Sequence, residues 1–334
     1  LLLLTRREDY KRLKSPRLKM IKSHNRSMLT KALPFDLTNA QSSVIREIDG
    51  DLMRGDPMLR LLQGDVGSGK TLVAALSALP VIDAGFQVAL MAPTELLSEQ
   101  HAGQFSEWFS PLGISVGWLT GSMKIRPRRV MLEHLANGKC QMVIGTHALF
   151  QDEIYFNQLG LVIVDEQHRF GVAQRLSLRE KGQNLTPHQL IMTATPIPRT
   201  LAMTHFADLD ISVIDELPPG RTPVDTRMLN QSRAAEITDR LDTQFNEGGQ
   251  AYWVCTLIEE TEQSVAEAAE SRVEKLKQQL PHRRIGLVHG RMKTDEKSVI
   301  MTAFASGDLD LLVATTVIEV GVNVPNANIM VIEN

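Results

Sequence analysis

The sequence predicts an α/β protein of two lobes, each built on a parallel sheet covered by helices. Three observations carry this expectation. Short apolar runs recur, "LRLLQG", "QVALMAPT", "CQMVIGTH", "LGLVIVDE" and "HQLIMTAT", each followed by a turn and then a helical pattern. Buried strands alternating with amphipathic helices are the mark of parallel sheets with both faces covered. The stretch "ELPPGRTPV" then packs Pro218, Pro219, Gly220 and Pro223 into residues 216–224, a density that no helix or strand interior tolerates. Beyond it the alternation resumes.

The first lobe accordingly takes residues 34–215, a linker 216–226, and the second lobe 227–334. In the second lobe the strands are "QAYWVCTLI", "RIGLVHG", "LDLLVATT" and "NIMVIEN", with helices over 266–280 and 294–305. That lobe reads as truncated, because the chain stops at Asn334 on a strand with no covering helix after it. Residues 1–33 form a basic segment. Ten Lys and Arg there face only Glu8 and Asp9, a net +8 that leaves −11 for the rest of a chain totalling −3. Such an arm either tracks a polyanion or is a solvated connecting helix.

Composition narrows the classes. At 43% hydrophobic and 22% charged, the chain is that of an ordinary globular protein, and no apolar run approaches a membrane span. Cys140 and Cys255 are far apart and in no metal-binding spacing, which argues against a disulfide framework or a zinc site and for a reducing cytosol.

Two motifs carry chemistry. "GDVGSGKT", Gly64 to Thr71, matches G-x-x-x-x-G-K-[ST] between a predicted strand and a helix. Glycines at Gly64, Gly67 and Gly69 let backbone N–H groups, Ser68 among them, curl around phosphate oxygens. Lys70 reaches the β- and γ-phosphates, and Thr71 can ligand Mg²⁺. In "LVIVDEQHRFG" four apolar residues end in Asp165 and Glu166, followed by Gln167 and His168. A buried strand that ends on two carboxylates needs a cation. Mg²⁺ on a bound nucleotide supplies it, with Asp165 as ligand and Glu166 polarising the attacking water. ATP and Mg²⁺ are therefore the expected cofactors.

The order of further motifs resembles the superfamily-2 helicases and translocases. "APTELL" (Ala92 to Leu97) and "IGTH" (Ile144 to His147) follow strands and can meet nucleic-acid phosphates. In "TATPIPRT", Thr193 and Thr195 can bond Gln167 or His168, linking the water site to the nucleic-acid face; His168 satisfying a local carbonyl is the plainer reading. Together "MRGDPMLRLLQGDVGSGKT", "MAPTELLSEQH", "DEQHRFGV", "MTATPIPRTLAM", "DELPPGRTPV", "YWVCTLIEETE", "GLVHGRM" and "LLVATTVIEVGV" resemble the RecG family of bacterial branch-migration helicases over residues 30–334. Transcription-repair coupling factors share part of this pattern and are the second reading; PriA-type helicases are more distant.

The resemblance implies two RecA-like P-loop lobes that close on ATP and step along branched double-stranded DNA, such as stalled forks and Holliday junctions, in recombination and repair. It implies a monomer in the bacterial cytoplasm, at the nucleoid. It makes Lys70, Thr71, Asp165 and Glu166 the ATP and Mg²⁺ residues, and Thr94, Thr146, Thr315 and Thr316 contacts to DNA phosphates. "PFDLTNAQ" becomes the segment that reads adenine through Gln41 beside Phe35. Thr38-x-x-Gln41 is also a capping box, and that alternative stays open, as it does for Thr316-x-x-Glu319. Arg291 is either near the cleft or an ordinary surface arginine.

Three departures from the family follow. Only the basic connection to an N-terminal wedge domain is present, and Asn323 stands where an Asp is usual. The expected arginine-finger motif, worth about 10³ to 10⁵ in rate in related systems, would lie beyond Asn334. An ATP- and DNA-binding unit without useful turnover is therefore a second hypothesis for these 334 residues.

Overall fold

The computed structural model describes residues 13–19, 23–166, 185–195, 209–216, 224–230, 233–255, 262–315, 324 and 326–333. It divides into two compact units, Leu1–Thr222 and Pro223–Asn334.

In the first unit, helices α1 (His24–Ala32) and α2 (Asn39–Leu52) lead to β1 (Leu59–Gly64), α3 (Lys70–Asp83) and β2 (Gln87–Met91). Next come α4 (Glu95–Phe109), β3 (Val116–Leu119), α5 (Ile125–Ala136), β4 (Met142–Gly145), β5 (Leu159–Asp165), β6 (His188–Thr193) and β7 (Asp210–Ile214). The seven strands form one sheet in the order β3-β4-β2-β5-β6-β1-β7, and every pairing is parallel. All residues of β2, β4 and β6 are buried, as are the first six of β5, which is what a sheet covered on both faces requires. The sequence reading missed β3 and β7. Both are short edge strands with broken burial, so neither presents a continuous apolar run.

Helix α3 is buried from Leu72 to Ile82, because it lies between the sheet and the outer helices α1 and α2. It carries Pro80 in its interior, which leaves the carbonyl four residues earlier without its helical donor. Arg26 of α1 fills that vacancy: its Nε donates to Leu76 O at 2.7 Å, and its two terminal nitrogens grip Asp49 of α2 at 2.7 Å each. Arg60 on β1 makes a second tie, donating to Asp51 of α2 at 2.7 Å and to Ser212 of β7 at 2.8 Å.

Of the basic segment, residues 13–19 and 23–33 are described, and His24–Ala32 of it is helix α1. Residues 13–19 lie outside any helix or strand, and Ser15 and Leu18 donate backbone N–H groups to Gly55 O and Leu52 O at 3.0 Å each. His188, the first residue of β6, joins this arm to the sheet. Its Nδ1 accepts from Met58 N at 3.0 Å, and its Nε2 lies 2.7 Å from Pro16 O. Lys14, Arg17 and Lys19 alternate with these anchors and stay exposed.

The second unit contains α6 (Ala234–Asn246), β8 (Gln250–Cys255), α7 (Glu262–Gln279), β9 (Ile285–Val288), α8 (Thr294–Ala305), β10 (Leu311–Thr315) and β11 (Ala327–Glu333). Its strands pair in parallel in the order β11-β8-β10-β9, over a core that includes Trp253, Ala269, Leu276 and Val313. Glu333 of β11 accepts from Trp253 Nε1 at 2.9 Å and pairs with Arg272 of α7. Helix α6 was not anticipated from the sequence.

Cys140 and Cys255 are free and buried, and burial pushes the Cys140 thiol up to about 11. Among the described residues, no helix is long and apolar enough to cross a membrane, and no His, Cys, Asp or Glu cluster forms a ready-made metal site.

Candidate active site

Strands β5, β6 and β1 are consecutive in the sheet, and their register brings their carboxyl ends level. Asp165 pairs with Met192, and Thr193 pairs with Gln63, one residue before the glycine loop. In an open parallel sheet this carboxyl edge is where ligands bind. Three motifs far apart in sequence thus meet in one row: Gly64–Thr71, Thr193–Thr195 and Asp165–Glu166.

The loop after β1 has the backbone that phosphate binding needs. Gly67 and Gly69 take φ of 78° and 89°, which an L side chain rarely adopts. A Cβ on Gly64 would come within 2.5 Å of Ser68 Oγ. Gly69 caps α3 without a side-chain hydrogen bond, and the first turn carries no acid, so its N–H groups offer an anion site. Lys70 Nζ donates to the carbonyls of Gly64 at 2.7 Å and Asp65 at 2.9 Å, which stations the ammonium over the loop. Thr71 follows in the first turn, half-buried. Ser68 is buried and its hydroxyl has no partner among the described residues; its N–H, expected to face phosphate, donates to Asp65 O at 3.0 Å. This set fits a nucleotide triphosphate tail, with Thr71 and Asp165 able to hold a divalent ion.

Gln41 does more than either sequence reading expected. It is 3% exposed and completes the capping box, its Oε1 accepting from Thr38 N at 3.0 Å while its N donates to Thr38 Oγ1 at 3.2 Å. Its Nε2 then donates to Ser68 O at 2.8 Å, so the amide ties α2 to the phosphate loop. Phe35 nearby in sequence is 52% exposed.

Glu166 leaves β5 with φ of 50°, left-handed backbone that is costly for a non-glycine residue and concentrates at functional sites. Its N donates to Met192 O at 3.0 Å. Its carboxylate accepts from Ala194 N at 3.1 Å and from Thr193 Oγ1 at 3.4 Å. Thr193 and Thr195 hydroxyls lie 2.8 Å apart. Thr193 thus bonds both Glu166 and Thr195; the expected partners Gln167 and His168 lie outside the described residues.

Asp165 has a partner the sequence reading missed. His101, on α4, places Nε2 2.8 Å from Asp165 Oδ2. A signal existed: His101 follows Thr94 by seven residues, two helical turns, and so shares its face of α4.

The four threonines expected at DNA are placed differently from one another. Thr94 is half-buried and caps α4, its Oγ1 accepting from Leu97 N at 3.3 Å. Thr146 is 4% exposed, at the tightly packed end of β4, where a Cβ on Gly145 would fall 2.0 Å from Leu119 O. Thr315 is 2% exposed, with its hydroxyl unpartnered among the described residues. Thr316, Glu319 and Asn323 lie outside the described residues. Arg291 follows β9 in the second unit.

Comparison with known proteins agrees with this geometry. The model for the DEAD/DEAH box helicase matches residues 38–204, and that for the helicase conserved C-terminal domain matches residues 233–334. The chain belongs to the DEAD/DEAH box helicase family, and its two units are RecA-like lobes. Within that family it is of the RecG type. It is 64% identical over 305 residues to the ATP-dependent DNA helicase RecG of Pasteurella multocida, covering 90% of this chain and 44% of that protein. To RecG of Escherichia coli K12 it is 62% identical over 312 residues, covering 92% and 45%. A solved structure of RecG bound to a three-way DNA junction superposes with a TM-score of 0.83 at 40% identity, over 99% of this chain and 43% of that one. The chain spans less than half the length of these relatives.

Proposed function

We propose that this chain is the ATP-hydrolysing core of a DNA translocase that remodels branched DNA. The observation that carries the reading is the level row of glycine loop, Thr193–Thr195 and Asp165–Glu166 along the carboxyl edge of β1, β6 and β5. Bound ATP and Mg²⁺ supply the phosphoanhydride bond and the metal's charge. The loop N–H groups and Lys70 hold the phosphates, and Thr71 and Asp165 hold the ion. Glu166, clamped by Thr193 and Ala194, accepts a proton from water as it attacks. The Thr193 bonds to Glu166 and to Thr195 support a relay of its state through the two threonines, with Gln167 and His168 completing it.

Similarity to a RecG that was solved on a three-way junction supports branched DNA as the substrate. Thr94, at the amino end of α4, is the first-lobe phosphate contact in this reading; Thr146 acts through the backbone of its turn, and Thr315 and Thr316 serve the second lobe. The lobes are residues 34–215 and 227–334, and the protein works as a cytoplasmic, nucleoid-associated monomer. Contacts mostly to phosphates give affinity that falls steeply with salt and shows little sequence preference.

The test is ATP hydrolysis by the 334-residue chain with and without forked DNA, beside Lys70→Ala. Turnover that rises with forked DNA and vanishes in the variant is expected. Turnover that ignores DNA, or that survives the substitution, overturns the proposal.

A further inference from the structure

We propose that His101 is a positioning residue for Asp165, and that α4 thereby couples the DNA edge of the first lobe to the metal carboxylate. This rests on the reading above of Asp165 as a Mg²⁺ ligand and of Thr94 as a DNA contact.

His101 is 8% exposed, and its Nε2 lies 2.8 Å from Asp165 Oδ2. An acceptor-only carboxylate sets the tautomer: Nε2 carries the proton and donates. Nδ1 is buried and finds no hydrogen bond among the described residues. Leaving a buried imidazole nitrogen unsatisfied is destabilising, so packing alone favours an apolar side chain at this position. The one polar contact the ring makes among the described residues is Asp165. It engages a single carboxylate oxygen, while Oδ1 takes no hydrogen bond among the described residues and remains for a cation. A histidine that holds one oxygen of a ligand carboxylate while the other meets the metal is an outer-shell arrangement, and its loss typically costs about 10- to 100-fold in metal affinity.

The same helix begins at Thr94, the DNA contact of the reading above. Thr94 caps α4, and His101 lies seven residues on, roughly 10 Å along the axis at about 1.5 Å per residue. Between them Ser98 is buried, its Oγ donating to Glu95 O at 2.7 Å and accepting from Trp118 Nε1 of β3 at 2.9 Å. Beyond them Phe105 and Phe109 are fully buried, edge to face at 5.3 Å. The helix is thus a packed rod, and a phosphate drawn onto its amino end displaces His101 with it.

The experiment is binding of a fluorescent ATP analogue to the 334-residue chain as Mg²⁺ is titrated, with and without forked DNA. It compares wild type, His101→Leu, His101→Gln and His101→Asn. Gln can place an amide donor where Nε2 stands; Asn is too short to reach Asp165. In wild type, forked DNA is expected to lower the half-saturating Mg²⁺. His101→Leu and His101→Asn should raise it about 10-fold or more and abolish the response to DNA, with metal-free nucleotide affinity unchanged. His101→Gln should recover most of both. Should His101→Leu fail to fold, the Gln and Asn pair carries the same comparison.

An unchanged Mg²⁺ midpoint in His101→Leu and His101→Asn overturns the positioning role, as does a Gln variant no better than Asn. Parallel loss of metal-free binding makes His101 structural only. A DNA response retained without the His101 contact overturns the coupling. If wild type itself shows no Mg²⁺ dependence, the nucleotide-site reading fails first.

Discussion

Gln41 offers the sharpest test of how the phosphate loop is held. Replacing it with Ala removes two hydrogen bonds from a nearly dry position, Thr38 N–H to Oε1 and Nε2 to Ser68 O. At about 1 kcal/mol net for each bond, plus part of the desolvation cost of a stranded carbonyl, Gln41→Ala should cost roughly 2–4 kcal/mol. That figure alone does not separate a helix cap from a latch on the loop. Gln41→Glu does. A glutamate at this position still completes the capping box, and its charge near the α2 amino terminus favours the helix by roughly 0.3–1 kcal/mol. Against Ser68 O, however, it presents an oxygen where the amide donated at 2.8 Å. If the latch matters, Gln41→Glu loses roughly 1–3 kcal/mol and also weakens metal-free nucleotide binding, because the loop carbonyl no longer has its donor. Urea unfolding at pH 7.5 and nucleotide titration on the same samples decide it. A Gln41→Glu variant as stable as wild type, with unchanged nucleotide affinity, would refute the latch and leave Gln41 a cap.

Three other perturbations have defined outcomes. Glu166→Gln keeps the size and one acceptor of the side chain but not its basicity; steady-state turnover should fall by about 10² to 10⁴ while nucleotide affinity holds, and turnover within a few-fold of wild type removes Glu166 as the base. Arg26→Met strands the Leu76 carbonyl freed by Pro80 together with the Asp49 carboxylate, so urea unfolding should show a loss of about 3–5 kcal/mol; a change below about 0.5 kcal/mol means solvent replaces the arginine. His188 is held neutral: burial depresses its pKa, outweighing Pro16 O and the charges of Asp51 and Asp56, which raise it. With the folded value below the ordinary 6.5, its contribution is fully present above that value. It is lost as pH falls from there through the folded pKa, by up to about 1.4 kcal/mol per pH unit. Urea midpoints between pH 7.5 and 5.5 should show this slope in wild type and a flatter one in His188→Gln.

Much of the protein was legible in the sequence because its signals are local. The central strands are continuous apolar runs, so β1, β2, β4, β5 and β6 announce themselves, and the glycine loop and the acidic pair are contiguous stretches whose spacing states their chemistry. Edge strands β3 and β7 bury only part of their length, so their patterns stay weak. Adjacency is not local. The sheet order β3-β4-β2-β5-β6-β1-β7 comes from packing, and it alone seats Thr193 and Ala194 against Glu166. The same holds for His101, which is 64 residues from Asp165 in sequence, and for Gln41, whose second bond crosses 27 residues to Ser68. His188 and Arg26 look like surface polar residues until the chain folds. What they satisfy, a β6 entrance clasped to residues 13–19 and a carbonyl freed by a buried proline, are vacancies that only tertiary packing creates. Residue types and spacings state which chemistry a chain can do; long-range burial decides which groups must hold one another for that chemistry to be placed.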